Sequence, residues 1–131
     1  MAIRIVRLGS PRAAGEGLRL GTVRRPPRGV PKAEFATRDF YDQWLPQLAP
    51  SLELMKFAQA AQASGEDKAW GQFVKKFRAE LGEGETPRLL DLLAALSHGT
   101  PMALGCYCED EARCHRSVLR ALLAERGADL I

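Results

Sequence analysis

At 131 residues and 46% hydrophobic content, the chain is long enough to bury one core without disulfide support, and a single domain over 1–131 is expected. Nineteen Lys and Arg against sixteen Asp and Glu give a net charge of +3. No apolar run approaches the roughly 20 residues that a bilayer span needs, and neither end carries a signal-peptide core or a lipidation pattern. With three clustered cysteines, which do not make a disulfide framework, this predicts a reduced, cytoplasmic protein with no membrane partner.

Ala2 to Leu8 sets Ile3 and Ile5 between arginines and predicts a first strand, which Gly9-Ser10-Pro11 interrupts; Leu18 to Val23 repeats the signature after a polar loop over 9–17. Pro26-Pro27-Arg28-Gly29-Val30-Pro31 is a stiff, basic loop, because each proline lacks an amide hydrogen and biases its predecessor away from the helical region. Thr37 as a cap, with Phe40, Tyr41, Trp44, Leu45 and Leu48 at three- and four-residue spacing, predicts a first helix that stops before Pro46 or Pro50. Ser51 caps a second helix along Leu52, Met55, Ala58, Ala61 and Gln62, ended by Gly65. A third runs from Asp67 through Trp70, Phe73, Val74, Phe77 and Leu81, and a fourth from Thr86-Pro87 to Leu96. Pro101 to Cys108 predicts a buried strand, and Cys114 to Arg126 a last helix closed by Gly127. Asp129 to Ile131 is too short to assign. Strands and helices in this order predict an α/β domain with a mostly parallel sheet flanked by helices.

Chemistry is concentrated between Cys106 and Arg116, a strand-to-helix connection that holds all three cysteines and one of the two histidines. Cys106 and Cys108, two apart on a predicted strand, share one face, with Tyr107 on the other. Cys114 and His115 stand at a helix start, where free amide hydrogens lower a thiol pKa and attract anions. Neighbouring helical residues diverge by about 100°, so this pair is not expected to form a dyad, and a Cys–His pair across the loop is favoured. Cys-x-Cys-x5-Cys-His offers four soft ligand candidates, but it is not a usual finger spacing, and the adjacency of 114 and 115 counts against a metal. Packing of free thiols as small hydrophobes is the plain alternative for Cys106 and Cys108.

The basic charge lies in the N-terminal third, where Arg4, Arg7, Arg12, Arg19, Arg24, Arg25, Arg28 and Lys32 face only Glu16 before Glu34. This suggests an anionic partner, either a small molecule or nucleotide or a nucleic acid. Arg24, Arg28 and Arg116 would form an anion clamp if the proline-rich loop meets the start of the last helix. No Gly-x-Gly-x-x-Gly or Gly-x4-Gly-Lys-Ser pattern occurs, which argues against a dinucleotide fold or a P-loop NTPase. Trp44, Trp70, Phe73 and Phe77 read as core, Ser51 as a cap, Glu80 as a surface residue or an arginine's partner, and His98 as a helix-end residue.

Arg24 with Pro27-Arg28-Gly29-Val30, Trp44 with Leu48-Ala49-Pro50-Ser51 and Leu54, and Trp70, Phe73, Phe77 and Glu80-Leu81 together resemble the domain-of-unknown-function 488 family, the YeaO-like proteins. Similar order and spacing run from about Val23 to Leu81 and resume in the final strand and helix, and Cys114-His115-Arg116 resembles the ending of another branch of that family. The resemblance implies a small α/β domain with a largely parallel sheet and no established activity. The family's loop usually reads Asp-Arg-Leu-Trp-Pro-Arg-Gly, whereas here Val23 replaces the acid and Pro26 the tryptophan.

The functional expectation is an enzyme binding a phosphate- or carboxylate-bearing small molecule. Cys106, Cys114 and His115 would do its chemistry, and Arg24, Arg28, Cys108 and Arg116 would bind the anion. The alternatives are a noncatalytic nucleic-acid or nucleotide-binding module and a metal-binding or thiol-redox sensor. Cofactor and oligomeric state are left open.

Overall fold

The structure, a computed structural model, describes residues 2–131. Four parallel strands, β1 (Ile3–Arg7), β2 (Leu18–Gly21), β3 (Gln43–Trp44) and β4 (Met102–Cys106), form one sheet in the order β1-β4-β2-β3. Helices α1 (Leu52–Ser64), α2 (Asp67–Leu81) and α3 (Thr86–Leu96) connect β3 to β4, and α4 (His115–Glu125) follows β4. The expected α/β domain with a parallel sheet is what the chain forms. Among the described residues no helix is long and apolar enough to cross a membrane.

β4 sits between β1 and β2 and is buried at all five positions, as a strand covered on both faces must be. Its Met102 and Leu104 join Ile3 and Leu20 against Phe73 and Phe77 of α2, Leu90 and Leu93 of α3, and Leu119 and Leu123 of α4. Phe73, Phe77, Leu104, Leu119 and Leu123 are fully buried, each stabilising by roughly 1.5–3 kcal/mol relative to exposure. A smaller cluster of Leu8, Val23, Tyr41, Cys106 and Cys114 lies at the C-terminal end of the strands. There Gly21 and Gly105 are register partners, and a β-carbon on either would strike Tyr41 Cδ2 at 2.4 Å or Leu8 Cδ2 at 2.3 Å. Both glycines are required by close approach rather than by backbone angle.

The expected helix from Thr37 to Leu48 does not form. That stretch holds turns, the two-residue strand β3 and a single 3-10 turn at Pro46–Leu48. Its backbone groups are taken by the sheet edge: Asp42 N–H donates to Arg19 O at 2.8 Å and Leu45 N–H to Gly21 O at 2.9 Å. The Asp42 carboxylate accepts Arg19 N–H at 2.8 Å and the Arg12 guanidinium at 2.8 Å, and Asp39 turns the chain at φ 63°. Trp44 is therefore not core; it is 43% exposed, and its indole N–H donates to Val23 O at 2.7 Å.

The later helices match their predicted spans closely. Ser51 Oγ accepts Leu54 N–H at 3.3 Å as the α1 cap, and Gly65 closes α1 at φ 68°. Glu80 accepts the Ser51 backbone N–H at 3.1 Å, an amide and not an arginine. His98 Nε2 lies 2.9 Å from Gly127 O, tying the end of α3 to the end of α4. The unassigned C-terminal residues extend the β1 edge: Ile3 N–H donates to Asp129 O at 2.8 Å and Ile131 N–H to Ile3 O at 3.0 Å.

Candidate thiol site

A cavity of about 480 Å³ opens beside the C-terminal ends of β2 and β4, within the size range of small-molecule sites. The loop 23–28 forms one wall, and Met55, Ala58, Gln59 and Gln62 of α1 form another. Cys106, Tyr107, Cys108 and His115 close it. Of the positions predicted along α1, Met55, Ala58 and Gln62 line the cavity and Ala61 is buried, together with Leu54, which the predicted stripe left out. Tyr107 Oη donates to Arg25 O at 2.9 Å and ties the two loops together.

β4 ends at Cys106, yet the next bend keeps Cys108 on the same side, with its sulfur 3.8 Å from that of Cys106. Cys114 precedes α4 in an extended conformation, φ −123° and ψ 153°, and His115 is the first helical residue. The 100° divergence of helical neighbours therefore does not apply, and Cys114 Sγ lies 3.8 Å from His115 Nδ1. This corrects the expectation that the adjacent pair would point apart. The other ring nitrogen, Nε2, lies 2.6 Å from Thr22 O; donating there leaves Nδ1 as the acceptor facing the thiol. Thr22 Oγ1 in turn donates to Gly105 O at 2.9 Å.

The three thiols share protons unequally. The hydrogen bond from Cys106, then Cys114 and the nearby charge of Arg116, outweigh burial and pull the Cys108 thiol down to about 3. Cys106, acting as donor to Cys108 and Cys114 and buried, is pushed up and keeps its proton. Cys114 is lowered, by the Cys106 hydrogen bond first and by His115 as well. Cys114 is fully buried, whereas Cys108 is half-buried and lines the cavity.

Of the expected anion clamp, Arg28 lines the cavity, but the other two guanidiniums are spent on protein groups. Arg116 is 3% exposed and donates to Val6 O and Cys108 O, each at 2.6 Å, and to Cys114 Sγ at 3.4 Å. A buried guanidinium can keep its charge only by filling its donor positions, and here backbone carbonyls and a sulfur do so. Arg24 lines the cavity wall, with its donors on Pro50 O at 3.1 Å and Ala49 O at 3.0 Å. Arg25, a neighbour in the same loop, takes its place beside Arg28. Both are exposed, and among the described residues neither has a side-chain hydrogen bond or an acid partner. Arg12 and Arg19, by contrast, pair with Asp42 and Glu16.

The sequence placed Arg25 in the basic N-terminal third and Gln62 on a helix without assigning either to the site, and Thr22 and Gln59 were not singled out. Thr22 carried a usable signal, being the polar residue at the end of a predicted strand, and Gln62 stood in an otherwise apolar stripe. The orienting group on Thr22 is its main-chain oxygen, which no residue type announces.

The family model of the active DUF488-N3 subclade matches residues 3–127. No curated protein and no solved structure matches the chain.

Proposed function

We propose that this chain, which belongs to the DUF488 family, is a thiol-dependent enzyme acting on a small molecule that carries a phosphate or carboxylate. Cys108 supplies the nucleophile, His115 handles the proton, and Arg25 and Arg28 hold the anion. One observation carries this reading: a half-buried sulfur, an imidazole and two guanidiniums without acid partners among the described residues line the same cavity. The description of the matched subclade as active suits a chain that keeps these groups together.

The chemistry is a substitution at carbon in two steps. Cys108 gives its thiol proton to His115 Nδ1, its sulfur bonds to an electrophilic carbon of the substrate as the bond to the leaving group breaks, and the leaving group takes that proton from the resulting imidazolium. Water then attacks the same carbon, gives its proton to the His115 imidazole and releases the Cys108 sulfur. Thr22 O fixes the ring, so the same nitrogen serves in both steps. Apolar groups such as Met55, Ala58 and Phe73 take the body of the substrate, while the exposed guanidiniums stay with its charged end.

The test uses two alkylating agents of similar size on the metal-free, reduced protein. Iodoacetate, an anion, should modify Cys108 on the order of tenfold faster relative to iodoacetamide than it does a free thiol, because local charge concentrates it. Inorganic phosphate should slow the reaction, and Arg25→Ala with Arg28→Ala should remove the preference. Equal rates for both agents, unaffected by phosphate or by the two arginines, would overturn the reading.

A further inference from the structure

We infer that Cys106, Cys114 and His115, with Cys108 at the fourth vertex, bind a single soft divalent cation of the zinc type, and that this cation competes with thiol chemistry at the cavity. The ligand atoms of Cys106, Cys114 and His115 all lie within 4.8 Å of one another. A tetrahedral ion with bonds of about 2.3 Å to sulfur and about 2.0–2.1 Å to nitrogen spaces its ligand atoms by roughly 3.5–3.8 Å. Cys106 Sγ to Cys108 Sγ is 3.8 Å, and Cys114 Sγ to His115 Nδ1 is 3.8 Å, so two opposite edges of such a tetrahedron already stand at that spacing. Among Cys106, Cys114 and His115 the remaining contraction is at most about 1 Å, and Cys108, held 3.8 Å from Cys106, swings in as the fourth ligand by side-chain rotation.

The surroundings point the same way. His115 donates Nε2–H to Thr22 O, the arrangement that orients a metal-ligating imidazole and leaves Nδ1 for the ion. Arg116 Nε–H lies 3.4 Å from Cys114 Sγ, the kind of donor that supports a bound thiolate. Three thiolates and one divalent ion leave a net charge of −1, and the buried guanidinium of Arg116 offsets it. The ligand set of three sulfurs and one nitrogen selects zinc, cobalt or another soft ion over magnesium or calcium. Sequence adjacency is no obstacle, since Cys114 is extended and His115 helical. Because Cys108 also lines the cavity, loading the ion ties up the sulfur assigned above as nucleophile.

This inference goes beyond the anion-binding reading, and the two fail separately. Metal uptake is measured on the reduced full chain with no anionic ligand, whereas the alkylation assay uses metal-free protein. Titration of the metal-free protein with Co²⁺ should saturate at one equivalent, with intense visible bands of tetrahedral coordination and a sulfur-to-metal charge-transfer band, and Zn²⁺ should bleach both. His115→Ala and Cys114→Ser should each weaken uptake by roughly tenfold or more. Should the buried Cys114→Ser protein fail to fold by circular dichroism, Cys108→Ser, at a half-buried position, should keep binding with a weaker charge-transfer band. Zinc-loaded wild type should lose iodoacetate reactivity at Cys108. Absence of uptake at micromolar metal, a pale octahedral spectrum, full uptake by His115→Ala, or undiminished alkylation of the zinc form would each overturn the assignment.

Discussion

Arg116 Nη2 donates to the main-chain oxygen of Cys108 at 2.6 Å, so a buried arginine on α4 holds the loop that carries the cavity-facing thiol. Its Nη1 reaches Val6 O at 2.6 Å on β1, and one side chain therefore binds a strand, a loop and a helix start into one unit.

Replacing that guanidinium by an apolar chain of similar length removes a charged donor from two carbonyls and a sulfur. Arg116→Met should cost about 2–4 kcal/mol, from the loss of charged hydrogen bonds and the desolvation of the groups left behind. Urea denaturation gives the magnitude. Hydrogen exchange should show the loosening concentrated over 107–113; a uniform change across the chain would contradict the pinning role.

A second network, on the other side of β2, makes stability depend on acidity. Burial works against the charges of Glu16 and Asp42, but hydrogen bonds from Arg19 and Arg12 outweigh it and hold both carboxyls below their ordinary values of 4.5 and 3.8. Groups lowered by folding contribute stability that is fully present above their unfolded pKa and is lost as the pH falls through the folded one. The stability these two carboxyls supply, read as the difference in melting temperature between wild type and Asp42→Asn, should be flat from neutral pH to about 5, then fall progressively below the ordinary carboxylate range. Asp42→Asn should lower stability at pH 7 and flatten the acid limb; an unchanged limb would assign the acid sensitivity elsewhere.

Two glycines make opposite predictions for the same substitution. A β-carbon at Gly105 would lie 2.3 Å from Leu8 Cδ2 and 2.9 Å from its Cγ, so Gly105→Ala should cost about 1–3 kcal/mol through displaced packing. Gly71, inside α2, has open space around its β-carbon position, and Gly71→Ala should stabilise by about 0.5–1 kcal/mol. Denaturant midpoints of the two variants, compared with wild type, check both signs.

Much of the fold was legible because its signals are local. Ser51, Gly65, Pro87 and Gly127 punctuate α1, α3 and α4 with caps and breakers that act within one turn, and the α2 aromatics recur at helical spacing. The stretch from Thr37 to Leu48 carried a helical period too, but partners distant in sequence, Arg12, Arg19 and Gly21, captured its backbone and its acid. Periodicity cannot see such competition. At the site, the cysteines and His115 were visible by residue type, while the roles of the arginines depended on burial. Arg116 and Arg24 found carbonyls, and Arg25 and Arg28 remained at the cavity.

The central place of β4 orders events in time. Among the described residues, β1 pairs only with β4 within the strand ladders, and β2 meets β4 on its other edge, so everything before Met102 can form helices and the short β2–β3 pair but not the sheet. A chain emerging from the ribosome holds its first two strands apart for about 80 residues of synthesis, waiting for a strand to be inserted between them. The thiols arrive with and just after that strand. Assembly of the sheet and creation of the thiol-lined pocket are thus one late step, which keeps an exposed cysteine cluster from preceding the walls that shelter it.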